Sequence, residues 1–158
     1  LGISNAASTL VGQNLGAGNP DRAERSVWIT GKVTMLLMAF VGFILVVWAD
    51  SFIALFTNDT AIITYGKTGL RIVSYGFVAY GLGMVMVNAI NGAGDTRTPL
   101  WINLISFWMI EIPLAWLLSH LAGWAQNGVF IAILTAESIM TLITLFIFRK
   151  GRWKLKYV

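Results

Sequence analysis

The sequence predicts an all-α protein: a polytopic bundle of transmembrane helices with four complete spans and the end of a fifth. Three observations carry that prediction. Hydrophobic residues make up 57% of the 158 and charged residues only 11%, against about 45–50% and about 25% in soluble domains. The apolar residues gather in stretches of roughly 20, the helical length that crosses about 30 Å of hydrocarbon. Polar residues fall between those stretches, with most of the basic ones on one side. A globule of this size leaves too much surface exposed to hide so much apolar material, so lipid is its natural solvent. Mean hydropathy is +0.75, and the seven Trp suit the membrane interfaces that Trp favours.

Taken in order, residues 1–11 read as the tail of a span. They begin at Leu1, with no charged region ahead of an apolar core, so they do not read as a signal peptide. The expectation is a chain that continues upstream, with residues 1–158 forming one C-terminal lobe fragment. Full spans are predicted at 27–49, 69–90, 100–119 and 129–148, followed by a tail at 149–158. Lys32 lies near the start of its span, where its long stem can snorkel to the interface. Polar connections run from Gly16 to Arg22, from Asp50 to Thr64 with an Asn58-Asp59-Thr60 turn, from Gly92 to Pro99, and from His120 to Gly128. Arg22, Arg25, Lys32, Arg97, Arg149, Lys150, Arg152, Lys154 and Lys156 then share one side of the zigzag, and Lys67 and Arg71 the other. By the positive-inside rule the first side, with the C-terminus, is cytoplasmic. The basic tail is expected to lie along anionic lipid and not on nucleic acid.

Packing signals lie within the spans. Gly69, Gly76 and Gly83 recur every seven residues, a stripe along which another helix backbone can approach closely. Gly31 and Gly42 offer the same on the preceding span. Pro113 removes a backbone hydrogen bond in mid-span, so a kink is expected near Ile110. His120 is expected at the outer interface, solvated.

Composition also excludes chemistry. There is no Cys and a single His, which leaves no thiolate or histidine cluster for a metal site. No nucleophile–base arrangement is evident, so the chain does not read as an enzyme, and no cofactor is called for. Two Gly-rich phrases, Gly12-Gln13-Asn14-Leu15-Gly16-Ala17-Gly18-Asn19-Pro20 and Asn91-Gly92-Ala93-Gly94-Asp95-Thr96-Arg97-Thr98-Pro99, lack the Gly-Lys-Ser/Thr and the preceding strand of a phosphate loop. They read as helix connections. A Gly ends one helix in the left-handed conformation, and Asn19 or Asp95 caps the next, with Pro20 placed for a first turn.

These phrases carry a resemblance. The first, with Val11 before it and Arg22-Ala23 after it, resembles the loop after the eighth helix of multidrug-and-toxin-extrusion (MATE) transporters. The second resembles the loop after their tenth. Trp108 with Ile112-Pro113-Leu114-Ala115 is similar to the family's eleventh helix, and Arg149-Lys150-Gly151-Arg152-Trp153-Lys154 to its cytoplasmic end. The resemblance runs nearly the whole chain. It implies twelve helices in two six-helix lobes, of which this chain holds the end of helix eight through helix twelve. It further implies a multi-pass inner-membrane antiporter that exports organic cations or drugs by alternating access, in exchange for protons or sodium ions. Its partners would be the lipid bilayer, small amphiphilic or cationic substrates and an N-terminal lobe. A lipid-linked oligosaccharide flippase of similar architecture would want Arg or Lys deep in the membrane, which the spans lack. A non-transporting scaffold would be indifferent to loss of Glu111.

Intramembrane carboxylates are the natural carriers of a coupling cation, because they are expensive to bury and tend to face a cavity or a partner. Glu111 and Glu137 each lie near the middle of a span and are the coupling candidates. Glu111 adjoins Pro113, where unwound carbonyls can add oxygen ligands, and Asn103 and Phe107 precede it on roughly the same face. One branch of the resembled family carries an acidic residue where this chain has Tyr80, and a small neutral one in place of Glu111. The resemblance therefore implies an acidic function moved from helix ten to helix eleven, or coupling through the other lobe. Tyr75, Tyr80, Met84 and Asn103 are candidates for the substrate pathway, since Met and aromatic groups make soft contacts with flat cations.

Overall fold

The computed structural model describes residues 2–155; Leu1 and residues 156–158, including Lys156 of the basic run, lie outside the described residues. The chain forms α1 (Gly2–Gly16), α2 (Pro20–Val47), the short α3 (Ala49–Ala54), α4 (Thr60–Gly92), α5 (Arg97–Leu121) and α6 (Ala125–Arg149), closed by a 3-10 turn at Arg152–Leu155. Four of these helices, α2, α4, α5 and α6, are long and apolar enough to cross a membrane. No strand occurs among the described residues.

All four crossing helices start ahead of the predicted spans. Pro20 opens α2 at its first turn. The largest difference is at 50–64, read as a connection but mostly helical, as α3 and the start of α4. Asp59 explains the early start of α4: its Oδ1 accepts from the backbone N–H of Ala61 at 2.8 Å and of Ile62 at 3.3 Å, satisfying two of the donors that a helix start leaves free. The polar first turns of α4 then lean on α3. Asp50 binds Lys67 at 2.8 Å and Arg71 at 3.0 Å, and Arg71 Nε donates to the Val46 carbonyl at 3.2 Å. The Lys67 hydrogen bond, with Arg71 nearby, holds the exposed Asp50 carboxyl below the usual carboxylate range. The two basic residues of this side are thus paired in place.

α4 is the centre of the bundle, packed by α1, α2 and α3 around one part of its circumference and by α6 on another. The glycine stripes make the close approaches expected of them. An added Cβ at Gly76 would stand 2.8 Å from Leu134 of α6 and one at Gly83 2.5 Å from Thr141, while Gly69 lies under the Phe130 ring. At the Gly83 crossing Thr141 Oγ1 donates to the Ala79 carbonyl of α4 at 2.8 Å. On the other flank, Gly42 of α2 faces the Ser74 carbonyl, and Gly92 of α4 meets the backbone of α1 at Ser8.

α5 is peripheral. It packs along α6 and meets α4 mainly through its first segment. Its winding shows how Pro113 is accommodated. The helix is α-helical over Arg97–Asn103, π-helical over Leu104–Glu111, α-helical again over Ile112–Trp116, and π-helical over Leu117–Leu121. The wider turns carry the missing N–H without breaking the helix.

The tail after α6 packs back on the bundle through one aromatic residue. Trp153 is only 3% exposed. It stacks on Phe148 with centroids 4.8 Å apart and donates from Nε1 to the Phe148 carbonyl at 2.9 Å. This places it in a buried cluster with Val11, Val27, Met86 and Ile90. Lys154 reaches Asp21 at 3.4 Å and pairs with Glu24, and the Glu24 hydrogen bond raises its ammonium above the usual lysine value. The sequence reading placed Lys154 among the basic residues of one side; there the acidic start of α2 pairs with it, beside the Trp153 ring.

Candidate functional site

Both candidate carboxylates lie on one side of the bundle. Glu111 ends the first π-helical segment of α5, and Glu137 sits mid-way along α6. Glu137 is turned toward α4 at Gly76, where an added Cβ would stand 3.6 Å from its Oε2. The glycine therefore leaves room beside the carboxylate. Glu111 and Glu137 lie within electrostatic range of one another, and Tyr80, one turn beyond Gly76, within range of Glu137. The fold thus brings together three residues that the sequence named separately.

Two side-chain atoms in this part of the molecule are buried and without a hydrogen-bond partner among the described residues: Glu111 Oε2 and Ser106 Oγ. Unpaired buried polar atoms are uncommon in native structures, and each asks for an explanation. Ser106 escaped the sequence reading. The signal was present, a lone hydroxyl in Leu-Ile-Ser-Phe-Trp-Met-Ile-Glu, but on α-helical spacing it does not fall directly under Glu111. The π winding turns the two toward one side of the helix.

Tyr80 and Met84 line a cavity of about 410 Å³ between α1, α2 and α4, with Ser4, Thr34, Met38 and Gly81 among its walls. Its lining is mostly apolar with a few hydroxyls, the usual make-up of a small-molecule site. Tyr75 does not join it: 69% exposed, it lies in a shallow groove of about 220 Å³ between α2 and α4. Asn103, the last residue before the π winding, lies outside the lining of that cavity. Among the described residues no three of His, Cys, Asp and Glu gather as a metal cluster. His120 is exposed, stacked on Trp116 at 5.7 Å, and its Nδ1 lies 2.9 Å from Ser119 Oγ.

The Gly-rich phrases do structural work. Gly18 and Gly94 take positive φ, 73° and 78°, and turn the chain between helices. Gly12 faces the Gly92 carbonyl, with room for a Cβ only at 3.2 Å. Gln13, Gly16 and Arg97 are exposed and Pro99 is buried. Thr96 stands at the start of α5, where Asp95 accepts from the Thr98 N–H at 3.1 Å and its hydroxyl at 2.7 Å. Asn19 departs from the expected cap: its Nδ2 donates to the Ala17 carbonyl at 3.0 Å, and its side chain makes no bond to α2.

A family model described as MatE matches residues 1–117. A probable multidrug resistance protein NorM of Thermotoga maritima is 28% identical over the whole chain, which covers 34% of that protein. Protein DETOXIFICATION 29 of Arabidopsis thaliana is 24% identical over 97% of the chain and 31% of its own length. The chain thus spans about a third of the length of these curated relatives. Among solved structures, an inward-facing multidrug resistance MATE family transporter of the MOP superfamily superposes with a TM-score of 0.89 at 19% identity, over 98% of this chain and 36% of that one. The eukaryotic MATE transporter AtDTX14 gives 0.83 at 24% identity, over 98% and 35%. Both superpositions extend over nearly all of the chain.

Proposed function

The chain belongs to the MatE family, and from that premise we propose that it is part of a secondary active antiporter that exports organic cations in exchange for protons or sodium ions by alternating access. The observation that carries the reading is the carboxylate pair. Two carboxylates in range of one another between apolar helices repel, and an arriving cation relieves both the repulsion and the cost of burying charge. A cation that binds one conformation better than another shifts the balance between them, which is the thermodynamic requirement for coupling. Glu111 on the peripheral α5 and Glu137 on α6 are the residues placed to sense it. The cavity at Tyr80 and Met84 is the candidate for contact with a flat apolar cation, since both side chains offer polarizable surface without fixed charge. The basic face, with the α1–α2 turn, the α4–α5 turn and the tail, is read as cytoplasmic in a cell inner membrane. The path is completed by an N-terminal lobe.

The test uses the full-length transporter in inside-out vesicles, following uptake of a fluorescent organic cation under an imposed proton or sodium gradient. Glu111→Gln and Glu137→Gln are expected to insert in normal amounts, with one or both stalled. Wild-type uptake rates in both variants would assign these carboxylates to packing and coupling to the other lobe.

A further inference from the structure

We propose that Ser106 and Glu111 are ligands of a single hard monovalent cation of about sodium's size, held in the π-helical segment of α5, with Glu137 as the facing charge from α6. The inference deepens the antiport reading by naming the ion and its ligands.

The winding supplies the geometry. In a π-helix the bond runs between residues i and i+5, so residues five apart come to lie on nearly the same side of the helix, where α-helical winding would separate them. Ser106 and Glu111 stand in that relation within Leu104–Glu111, and the Ile112 N–H continues the pattern to the Phe107 carbonyl. Pro113 has no N–H, so the series cannot reach the Trp108 carbonyl, and a third oxygen in the same turn loses its regular donor. π-helical turns of this kind occur often at functional sites. The helix surrenders regular bonds here, and what it gains in return is a column of oxygens.

Burial supplies the second argument. Ser106 is fully buried, at 0% exposure, and it sits on a helix whose neighbour is chiefly α6. Its hydroxyl and Glu111 Oε2 have no hydrogen-bond partner among the described residues, so they do not bond to each other. A proton on Glu111 removes its charge and leaves the Ser106 hydroxyl orphaned. A metal ion bound between the two oxygens satisfies both. Oxygen ligands around a hard cation stand about 2.3–2.6 Å from it and are therefore held roughly 3–5 Å from one another.

The ligand chemistry narrows the choice of ion. Hydroxyl, carboxylate and carbonyl oxygens suit hard cations, and no thiolate or imidazole is at hand for a softer one. Divalent calcium wants 6–8 oxygens and magnesium retains its waters, which a few oxygens between packed helices do not accommodate. One monovalent ion between Glu111 and Glu137 leaves a single negative charge on the pair.

Binding is tested apart from transport. Purified full-length protein in detergent, at constant ionic strength in choline chloride, is titrated with sodium chloride while its thermal midpoint and tryptophan fluorescence are followed. Wild type is expected to gain stability saturably with sodium and not with potassium. Ser106→Ala and Glu111→Gln are expected to raise the half-saturating sodium concentration about tenfold or more, the scale on which metal sites respond to loss of supporting groups. In choline alone Ser106→Ala should be no less stable than wild type, because it removes an unpaired buried hydroxyl. An unchanged sodium response in Ser106→Ala, or its destabilisation by equal amounts with and without sodium, overturns the proposal. Proton-driven uptake in vesicles with no sodium response in detergent defeats this inference and leaves the antiport reading standing. A Ser106-dependent sodium response in a protein that transports nothing does the reverse.

Discussion

Gly92→Ala should open the bundle on its basic side. A Cβ at Gly92 would stand 2.6 Å from Ser8 Cα and 2.8 Å from Ser8 C, where carbon atoms rest at about 3.5–4.0 Å. The obstacle is backbone, so no rotamer change relieves it, and α1 and α4 must part by about 1 Å. Such a gap forfeits a quarter to a half of each dispersion contact of about 0.1–0.2 kcal/mol; over roughly 40 atom pairs, as many as one buried leucine makes, the loss is about 2 kcal/mol. Helix propensity returns at most about 1 kcal/mol of it. Gly16→Ala is the matched control, a helical glycine of α1 with nothing within 4 Å, where the same change should be neutral or stabilising by about 0.4–1 kcal/mol. SDS titration of the purified full-length protein in mixed micelles, read by tryptophan fluorescence, compares the two. If Gly92→Ala unfolds at the same SDS fraction as Gly16→Ala, the close crossing of α1 and α4 is wrong.

Two further perturbations address the opposite ends of the bundle. The Asp50 carboxyl is depressed by Lys67 and Arg71, so its pairing stabilises the fold above the ordinary aspartate pKa of about 3.9 and is lost as pH falls through the lower folded value. Thermal midpoints of wild type and Asp50→Asn measured down the acid range should therefore converge toward low pH and separate above it; parallel curves would mean that the pairing is idle. Trp153→Ala empties a nearly closed site and should cost about 3–5 kcal/mol. Limited trypsin digestion of the full-length protein should then cut faster at Lys150 and Arg152, and an unchanged digestion rate would contradict the burial of the tail.

What the sequence made legible was whatever depends on composition and periodicity. The apolar runs located four crossing helices because hydrocarbon thickness sets their length, and the seven-residue glycine spacing marked the face of α4 that meets α6 because a helix returns to nearly the same angle at that interval. Boundaries were less visible. The start of α4 at Thr60 depends on the cap by Asp59, which was read as part of a turn, and α3 is too short to show a period. The π winding depends on how the carbonyls before Pro113 find donors, which spacing alone does not specify. Ser106 went unseen for that reason, and the approach of Glu111 to Glu137 depends on a helix pairing, α5 against α6, that no local pattern encodes. Tyr75 was grouped with Tyr80 because both are aromatic on one helix, yet they face different grooves.

The clasp at Trp153 and Lys154 also orders events in time. Lys154 reaches back to Asp21 across 133 residues, and Trp153 fills a cluster whose other members include Val11 and Val27. During synthesis those early residues leave the ribosome long before the indole that covers them. Until it arrives, the basic end of the bundle stays unsealed, with apolar side chains facing water, the kind of surface that chaperones and proteases recognise. A chain stopped just before Trp153 would hold all four membrane-crossing helices described above and still present that open end. The segment after α6 therefore completes a core begun in α1 and α2, and it distinguishes a closed bundle from one merely inserted.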